Sequence, residues 1–391
     1  MEDMDSKKLQ EPGEQIKPVV TEEEVRELAW RLFGMRVRSM EELTSYDDKN
    51  FHLMMENDYD NAYIKDIRPD GYVMKILNTF QSRDPTTIEA QHAMQKHLRD
   101  RGIVTQEPIL NREGKDMSLE VMMSDPQILD KGGKNSRAYI VRLVTFIPGT
   151  IFFRTPYIPG SFYNIGKFVG RLHKAIKGFH HPFYDNYEFL WSLKSIPKLS
   201  EFTFAVQKAE DRKVVEEVIT AYREEVIPKY SQLEKSIIHG DINEQNLLMV
   251  EIPGQDDVKP EEREHDVCGI LDFSDVTYSY KVFDVALSIA YLSIKCDESR
   301  NADVGGHVLA GYLTEGKLNE VEMDVLRTCM CARLAQSLTL GAYTFYLYPE
   351  NPYVLTTSKG GWSLLHKVWS FSKEKLMKRW VDIIEEHSKL S

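Results

Sequence analysis

One stretch, Ile237-Ile238-His239-Gly240-Asp241-Ile242-Asn243-Glu244-Gln245-Asn246-Leu247-Leu248, constrains this chain more than any other, together with Gly269-Ile270-Leu271-Asp272-Phe273-Ser274 downstream. Short apolar runs at 236–238, 247–250 and 267–271 flank the polar groups. Runs of this kind fit buried strands, which hold polar groups on rigid edges. The groups are a carboxylate (Asp241), an amide oxygen (Asn246) and a second carboxylate (Asp272). A hydroxyl that attacks a γ-phosphate needs an acceptor to aim it, and the phosphates need Mg²⁺, a hard cation that prefers oxygen ligands. Asp241 suits the first task; Asn246 and Asp272 suit the second. The competing reading is a buried loop with unrelated acidic residues. A lone Asp-x-x-x-x-Asn would not decide between the two; Asp272 at the end of the next apolar run favours the first.

The set resembles the kinase catalytic core in its His-Gly-Asp-x-x-x-x-Asn form, the form of the aminoglycoside phosphotransferase and choline-kinase-like enzymes. In protein kinases an arginine usually stands where Gly240 does here. The resemblance implies an α+β, protein-kinase-like fold of two lobes, with a small antiparallel-sheet N-lobe and a mostly helical C-lobe. Residues 1–17 read as a disordered tail, and on that pattern 18–147 form the nucleotide-binding N-lobe and 148–391 the catalytic and acceptor-binding C-lobe.

At 391 residues the chain has room for both lobes. Its net charge of -12 argues against nucleic acid or an anionic membrane as a main partner. The first seventeen residues lack the apolar core of a signal peptide. The longest apolar stretches, at 285–294 and 337–348, are too short to span a bilayer. Cys268, Cys296, Cys329 and Cys331 are irregularly spaced, which favours reduced thiols over zinc or disulfides and a cytoplasmic location.

In chain order, 21–33 reads as a helix with Thr21 and Glu24 as a capping box. Strands at 37–43 and 51–55 enclose Ser45-Tyr46-Asp47-Asp48-Lys49-Asn50, the place where a kinase-like fold covers the nucleotide phosphates. This loop has no glycine, so Ser45, Asn50 and the loop amides are the candidate phosphate-facing groups. Lys75 lies on the strand 71–77, with Glu89 one turn into the helix begun by Asp84-Pro85. A lysine in an apolar strand needs a counter-charge or an anion. The resemblance makes Lys75 and Glu89 an ion pair, with Lys75 on the α- and β-phosphates. Strands at 117–123 and 137–146 enclose a Gly/Asp/Lys-rich loop. Thr145-Phe146-Ile147-Pro148-Gly149 then falls where the family's hinge meets the purine base. The candidates there are the backbone groups of Thr145 and Ile147, which do not by residue type choose ATP or GTP.

The segment 161–178 is an amphipathic helix in which His173 reads as structural. A longer helix spans about 205–230. The polar run 251–266 reads as an exposed, mobile loop joining two strands that pair as a hairpin. Eleven residues separate Asp272 from Asp284, too few for a protein kinase's activation segment, which points to a small-molecule acceptor. The resemblance makes Asp284 the aspartate that holds the catalytic loop. Helices at 320–348 and from 362 past 376 complete the chain, and Arg333 is the basic side chain assigned to an acceptor's carboxylate.

Ser45-Tyr46-Asp47-Asp48-x-Asn50-Phe51, Tyr72-Val73-x-Lys75-Ile76 and His239-Gly240-Asp241-Ile242-Asn243 look like the animal branch of this superfamily that acts on 5-hydroxy-L-lysine. The likeness implies transfer from GTP to the side-chain hydroxyl of that amino acid in lysine catabolism. Other readings stay open: a kinase for choline, ethanolamine or a methylthio-sugar, and a catalytically inactive nucleotide-binding scaffold.

Overall fold

Thr21 accepts the Glu24 amide and Glu24 reaches back to the Thr21 N–H, so α1 (Glu22–Phe33) begins in the capping box its sequence spells. It ends where Gly34 turns left-handed at φ 66°. The face carrying Val25, Leu28, Ala29, Leu32 and Phe33 is buried. The structure, a computed structural model, describes residues 17–45, 48–123, 136–347 and 358–390. The tail 1–16, Tyr46, Asp47 and most of the loop between the 117–123 and 137–146 strands lie outside the described residues.

The chain divides into two units. The first holds the described residues up to Lys96, with Thr105–Pro148; the second holds His97–Val104 and the described residues from Gly149 onward. In the first unit β1 (Met35–Leu43), β2 (Lys49–Tyr59), β3 (Tyr72–Ile76), β4 (Pro108–Ile109), β5 (Ser118–Met123) and β6 (Ser136–Thr145) make an antiparallel sheet ordered β1-β2-β3-β6-β4, with β5 also on β6. α2 (Pro85–Arg99) begins with Asp84 accepting the Thr86 amide at 3.0 Å. Phe33, Met35, Leu53, Tyr72, Met74 and Tyr139 are part of one core under α1 and the sheet.

In the second unit, α3 (Pro159–Ile176) crosses α6 (Val304–Glu315) at glycines. A Cβ on Gly166 would lie 2.0 Å from the Val308 oxygen, and one on Gly311 1.9 Å from the Tyr163 oxygen. α5 (Lys281–Ile294) and α7 (Glu320–Leu347) are buried almost all round, α7 from Val325 to Leu340. That is the pattern of a core helix rather than a surface one. The helix expected at 205–230 is interrupted. α4 (Ala209–Ala221) passes through a π turn, Tyr222–Val226, into the 3₁₀ turn Ile227–Gln232, where Pro228 cannot donate to an α ladder. The helix expected past 376 is two, α8 (Ser358–Ser370) and α9 (Lys373–Leu390). Ser372 breaks the run by accepting the Lys375 amide at 3.2 Å.

Four strands frame the two polar loops. β8 (Lys235–Ile238) enters the 239–246 loop and β9 (Leu247–Glu251) leaves it; β10 (His265–Ile270) enters the 271–276 turn and β11 (Thr277–Tyr280) leaves it. β9 pairs with β10 as the sequence expects, and β11 returns to β8, Thr277 opposite Ile238. β7 (Thr150–Ile151) adds to β9. Each loop is therefore tied to the other at both ends, and Leu271 N–H donates to the Asn246 carbonyl at 2.8 Å. The 251–266 segment is closed on itself. Gln255 bonds Ile252 and Glu264, and Arg263 bonds Val258 and pairs with Glu251.

Candidate active site

Gly240 sits at φ 81°, and a Cβ there would fall 2.2 Å from the Asp275 carbonyl oxygen. Only glycine lets the loop turn this tightly against the neighbouring strand connection, which is the physical reason no arginine stands here. The turn aims two backbone N–H groups at one buried carboxylate. His239 donates to Asp284 Oδ2 at 2.9 Å and Gly240 to Asp284 Oδ1 at 2.8 Å. His173 joins from α3, its Nε2 at 3.2 Å from Asp284 Oδ2 and its Nδ1 at 3.0 Å from the Tyr312 hydroxyl. Burial works to raise the Asp284 carboxyl, but His173, His239 and the Gly240 amide outweigh it and hold it below the ordinary value. Asp284 thus anchors the loop, and His173 has the structural place the sequence suggests.

The same turn presents Asp241. Its Oδ2 accepts Asn243 Nδ2 at 2.8 Å and Asn246 Nδ2 at 2.9 Å; Asn246 also caps the Asp241 carbonyl at 2.9 Å. Asn243 Oδ1 in turn accepts the amides of Gln245 (2.8 Å) and Asn246 (3.1 Å). Asp241 Oδ1 faces Arg333 Nη2 at 3.4 Å. Burial raises the Asp241 carboxyl; Arg333 opposes this and the Asp272 charge adds to it. Asp275, a carboxylate that sequence reasoning missed, is raised well above the usual range by burial and then by Asp241. Its position three residues after Asp272 was the available signal. Asp272 is the one non-glycine with positive φ among the described residues, at 56°. Its Oδ1 accepts the Ser274 amide at 3.1 Å and the Ser274 hydroxyl at 2.7 Å.

These residues fit a divalent cation in a particular way. Asn246 commits its nitrogen to Asp241, so its oxygen would be the ligand atom, and Asp272 would add a charged oxygen. Among the described residues no three carboxylate, imidazole or thiol side chains converge as a ready cage. A partial oxygen set suits an ion that keeps waters and substrate phosphates in its shell. The upward shifts of Asp241 and Asp275 come first from burial, with neighbouring carboxylates adding to them and Arg333 opposing.

Arg333 corrects its sequence assignment. It is 2 % exposed, and its donors go to the Tyr291 hydroxyl (2.8 Å), the Trp191 carbonyl (2.7 Å), Gln336 Oε1 (3.1 Å) and Asp241. No pair of parallel donors remains to clasp an external carboxylate. The helix period placed Arg333 on an inward face, but only the packing shows that Asp241 occupies that face. Arg333→Lys is therefore expected to lower kcat about tenfold, ~1.4 kcal/mol, with the acceptor KM little changed. Steady-state kinetics reading a raised acceptor KM at constant kcat would return Arg333 to the acceptor.

In the first unit Lys75 lies half-buried on β3, opposite Asn50 on β2 and Arg142 on β6. Asn50 Oδ1 is buried with no hydrogen-bond partner. Glu89 is a second correction. It is exposed on α2, outside the buried face of that helix. The inward face of α2 carries Ile88, Gln91, His92 and Gln95, the i, i+3, i+4, i+7 set, with Glu89 one step of about 100° away. His92, on the buried face, lies 2.6 Å from Asp116 and 3.1 Å from Arg142. Thr145 is a third correction. Its N–H donates to Glu107 (2.9 Å) and its carbonyl accepts Gln106 Nε2 (3.3 Å), because β6 runs on to this residue. Ile147 has neither backbone group in an intramolecular bond among the described residues. Ser45 closes its own loop, its hydroxyl accepting the Asp48 amide at 3.2 Å.

The model of the phosphotransferase enzyme family matches residues 55–316. The chain belongs to that family. Similarity extends beyond the matched region. Hydroxylysine kinase of Bos taurus is 34% identical over 377 residues, covering 95% of this chain and 95% of its own. The Xenopus laevis protein of that name is 31% identical over 376 residues, covering 95% and 96%. Among solved structures, an amicoumacin kinase in complex with AMP-PNP and Ca²⁺ aligns with a TM-score of 0.61 at 18% identity, over 91% of this chain and 97% of that one. A microcompartment-associated aminopropanol kinase aligns with a TM-score of 0.58 at 15%, over 85% and 92%. These neighbours share the α+β kinase-like fold expected from the motifs. The phosphotransferase is a small-molecule kinase with a hydroxyl group as acceptor. No helix among its described residues is long and apolar enough to cross a membrane.

Proposed function

We propose that this phosphotransferase moves the γ-phosphate of GTP to the side-chain hydroxyl of 5-hydroxy-L-lysine, in the breakdown of that amino acid. The observation that carries the chemistry is Asp241, held on one oxygen by Asn243 and Asn246 and on the other by Arg333. The acceptor assignment is supported by hydroxylysine kinases that align over 95% of the chain. The GTP assignment rests on the same likeness.

Asp241 accepts a hydrogen bond from the acceptor hydroxyl and orients its oxygen toward phosphorus. As the new P–O bond forms and the bond to the diphosphate breaks, the hydroxyl proton passes to Asp241. In a loose phosphoryl-transfer transition state most of the rate comes from positioning and electrostatics. Asn246 and Asp272 would hold Mg²⁺, which when bound neutralises phosphate charge. Lys75 adds a cation for the phosphates, and Ile147 offers backbone groups to the base.

A coupled assay of nucleoside-diphosphate release, with ATP and GTP in parallel across amino-alcohol acceptors, tests this reading. Turnover is expected with 5-hydroxylysine and GTP. Ready turnover of choline, ethanolamine or a methylthio-sugar with hydroxylysine refused would sink the substrate; no turnover with any acceptor would favour an inactive scaffold. Asp272→Ala is expected to raise the Mg²⁺ concentration needed for half-maximal rate, since it removes a charged oxygen ligand. An unchanged Mg²⁺ titration would remove Asp272 from the metal site.

A further inference from the structure

Two buried polar atoms beside the 239–246 loop have no hydrogen-bond partner, Glu244 Oε2 and Tyr157 Oη. Neither follows from the chemistry assigned above. Glu244 lies three residues after Asp241, and its carbonyl accepts the Phe153 N–H at 2.9 Å, which fixes the loop against the 152–157 segment. The Tyr157 ring is clamped by Phe152 (centroids 4.5 Å apart) and Phe162 (6.1 Å). The phenol is close enough to feel the Glu244 charge, yet the two do not bond each other. Glu244 in turn feels Asp241 and Lys295, and Lys295 Nζ lies 5.6 Å from the centre of the Phe153 ring.

A buried polar group without a partner costs about 1–3 kcal/mol, and folded proteins leave few of them. Two on adjoining segments, one of them three residues from the carboxylate that aims the acceptor, mark a spot where a ligand completes the bonding. Burial pushes the Glu244 carboxyl up to about 7; in its ionised form it only accepts, while the phenol accepts or donates, so a donor suits both. A positively charged donor suits best, because a cation beside a carboxyl held up by burial favours its ionised form.

We propose that Glu244 and Tyr157 form the subsite for the ammonium group that lies next to the reacting hydroxyl of an amino-alcohol acceptor. In 5-hydroxylysine that ammonium is one carbon from the hydroxyl-bearing carbon, within the reach set by three residues of loop. The subsite rests on the acceptor reading under Proposed function and extends it to the recognition of the amine. A ribose hydroxyl could also donate to this pair, and the experiment separates the two.

The full-length enzyme and its Glu244→Gln and Tyr157→Phe variants are assayed with 5-hydroxylysine and with 2-amino-5-hydroxyhexanoic acid, which lacks the neighbouring amine. Glu244→Gln is expected to raise the hydroxylysine KM about 10–100-fold, the range of a charge-assisted hydrogen bond, with kcat nearly kept. The KM of the deaminated analogue should hardly move. Tyr157→Phe should act in the same direction by about 3–10-fold. The melting temperature of Glu244→Gln without ligand should be equal or higher, because the substitution removes the cost of burying a carboxylate whose carboxyl burial already pushes up to about 7. Equal effects on both acceptors, or a lower melting temperature with all constants damaged alike, would reduce the pair to a structural role. A raised nucleotide KM with the acceptor constants untouched would assign the pair to the nucleotide. A wild-type enzyme that turns over only uncharged alcohols would overturn the acceptor reading and the subsite together. Hydroxylysine turnover unaffected by either variant would overturn the subsite alone.

Discussion

Asp241→Asn should lower kcat by about 10²–10⁴-fold, the usual range for loss of a base or orienting group, while nucleotide binding stays nearly intact. The geometry makes the isosteric change severe. Asp241 accepts on both oxygens, from Asn243 and Asn246 on one side and from Arg333 on the other. An amide placed there must turn its NH₂ group toward donors on one side or the other. The carboxamide can neither take the proton nor keep the orientation. Single-turnover rates and nucleotide titration of the variant check this. A kcat near that of the parent enzyme, with any acceptor the parent phosphorylates, would remove Asp241 from its role.

Asp284→Ala should cost stability first and activity with it. Three donors converge on this buried carboxylate, the His239 and Gly240 amides and His173. Removing it orphans two backbone N–H groups and breaks a buried pair, together about 3–5 kcal/mol. The pH dependence has a definite sign. The folded carboxyl lies below its ordinary value of 3.8, so its contribution is complete above that pH and is lost as pH falls through the lower folded value. The gap in urea stability between the parent protein and the variant should hold from neutral pH down to about 4 and then narrow. A gap that widened on acidification would mean that Asp284 is protonated in the fold and acts as a donor.

Much of the site was legible because its elements are local. A strand, a turn that needs glycine, an amide five residues after a carboxylate and a second strand are consecutive, and the period of the side chains follows from backbone geometry. The 247–250 and 267–271 runs pair as read, and Thr21 with Glu24 caps the first helix as spelled. Glu89, Thr145 and Arg333 follow from position along an element, and each meets a tertiary setting that position alone does not give. Glu89 lies just off the inward face of α2. Thr145 is still inside the sheet, so its backbone groups are already paired. Arg333 does point inward, but a carboxylate distant in sequence by 92 residues was there to meet it.

The sequence by itself determined the order of elements, the polar loop with its carboxylate and amide, and membership of a phosphotransferase family, because each depends on residues near one another in the chain. Only the tertiary structure decided which charges face Asp241, that Asp275 joins them, and that Glu244 and Tyr157 are buried without partners. Those facts depend on distances between elements far apart in sequence and on which side chains exclude water, and in a medium of low dielectric such distances set both the energy of a charge and the chemistry it can do.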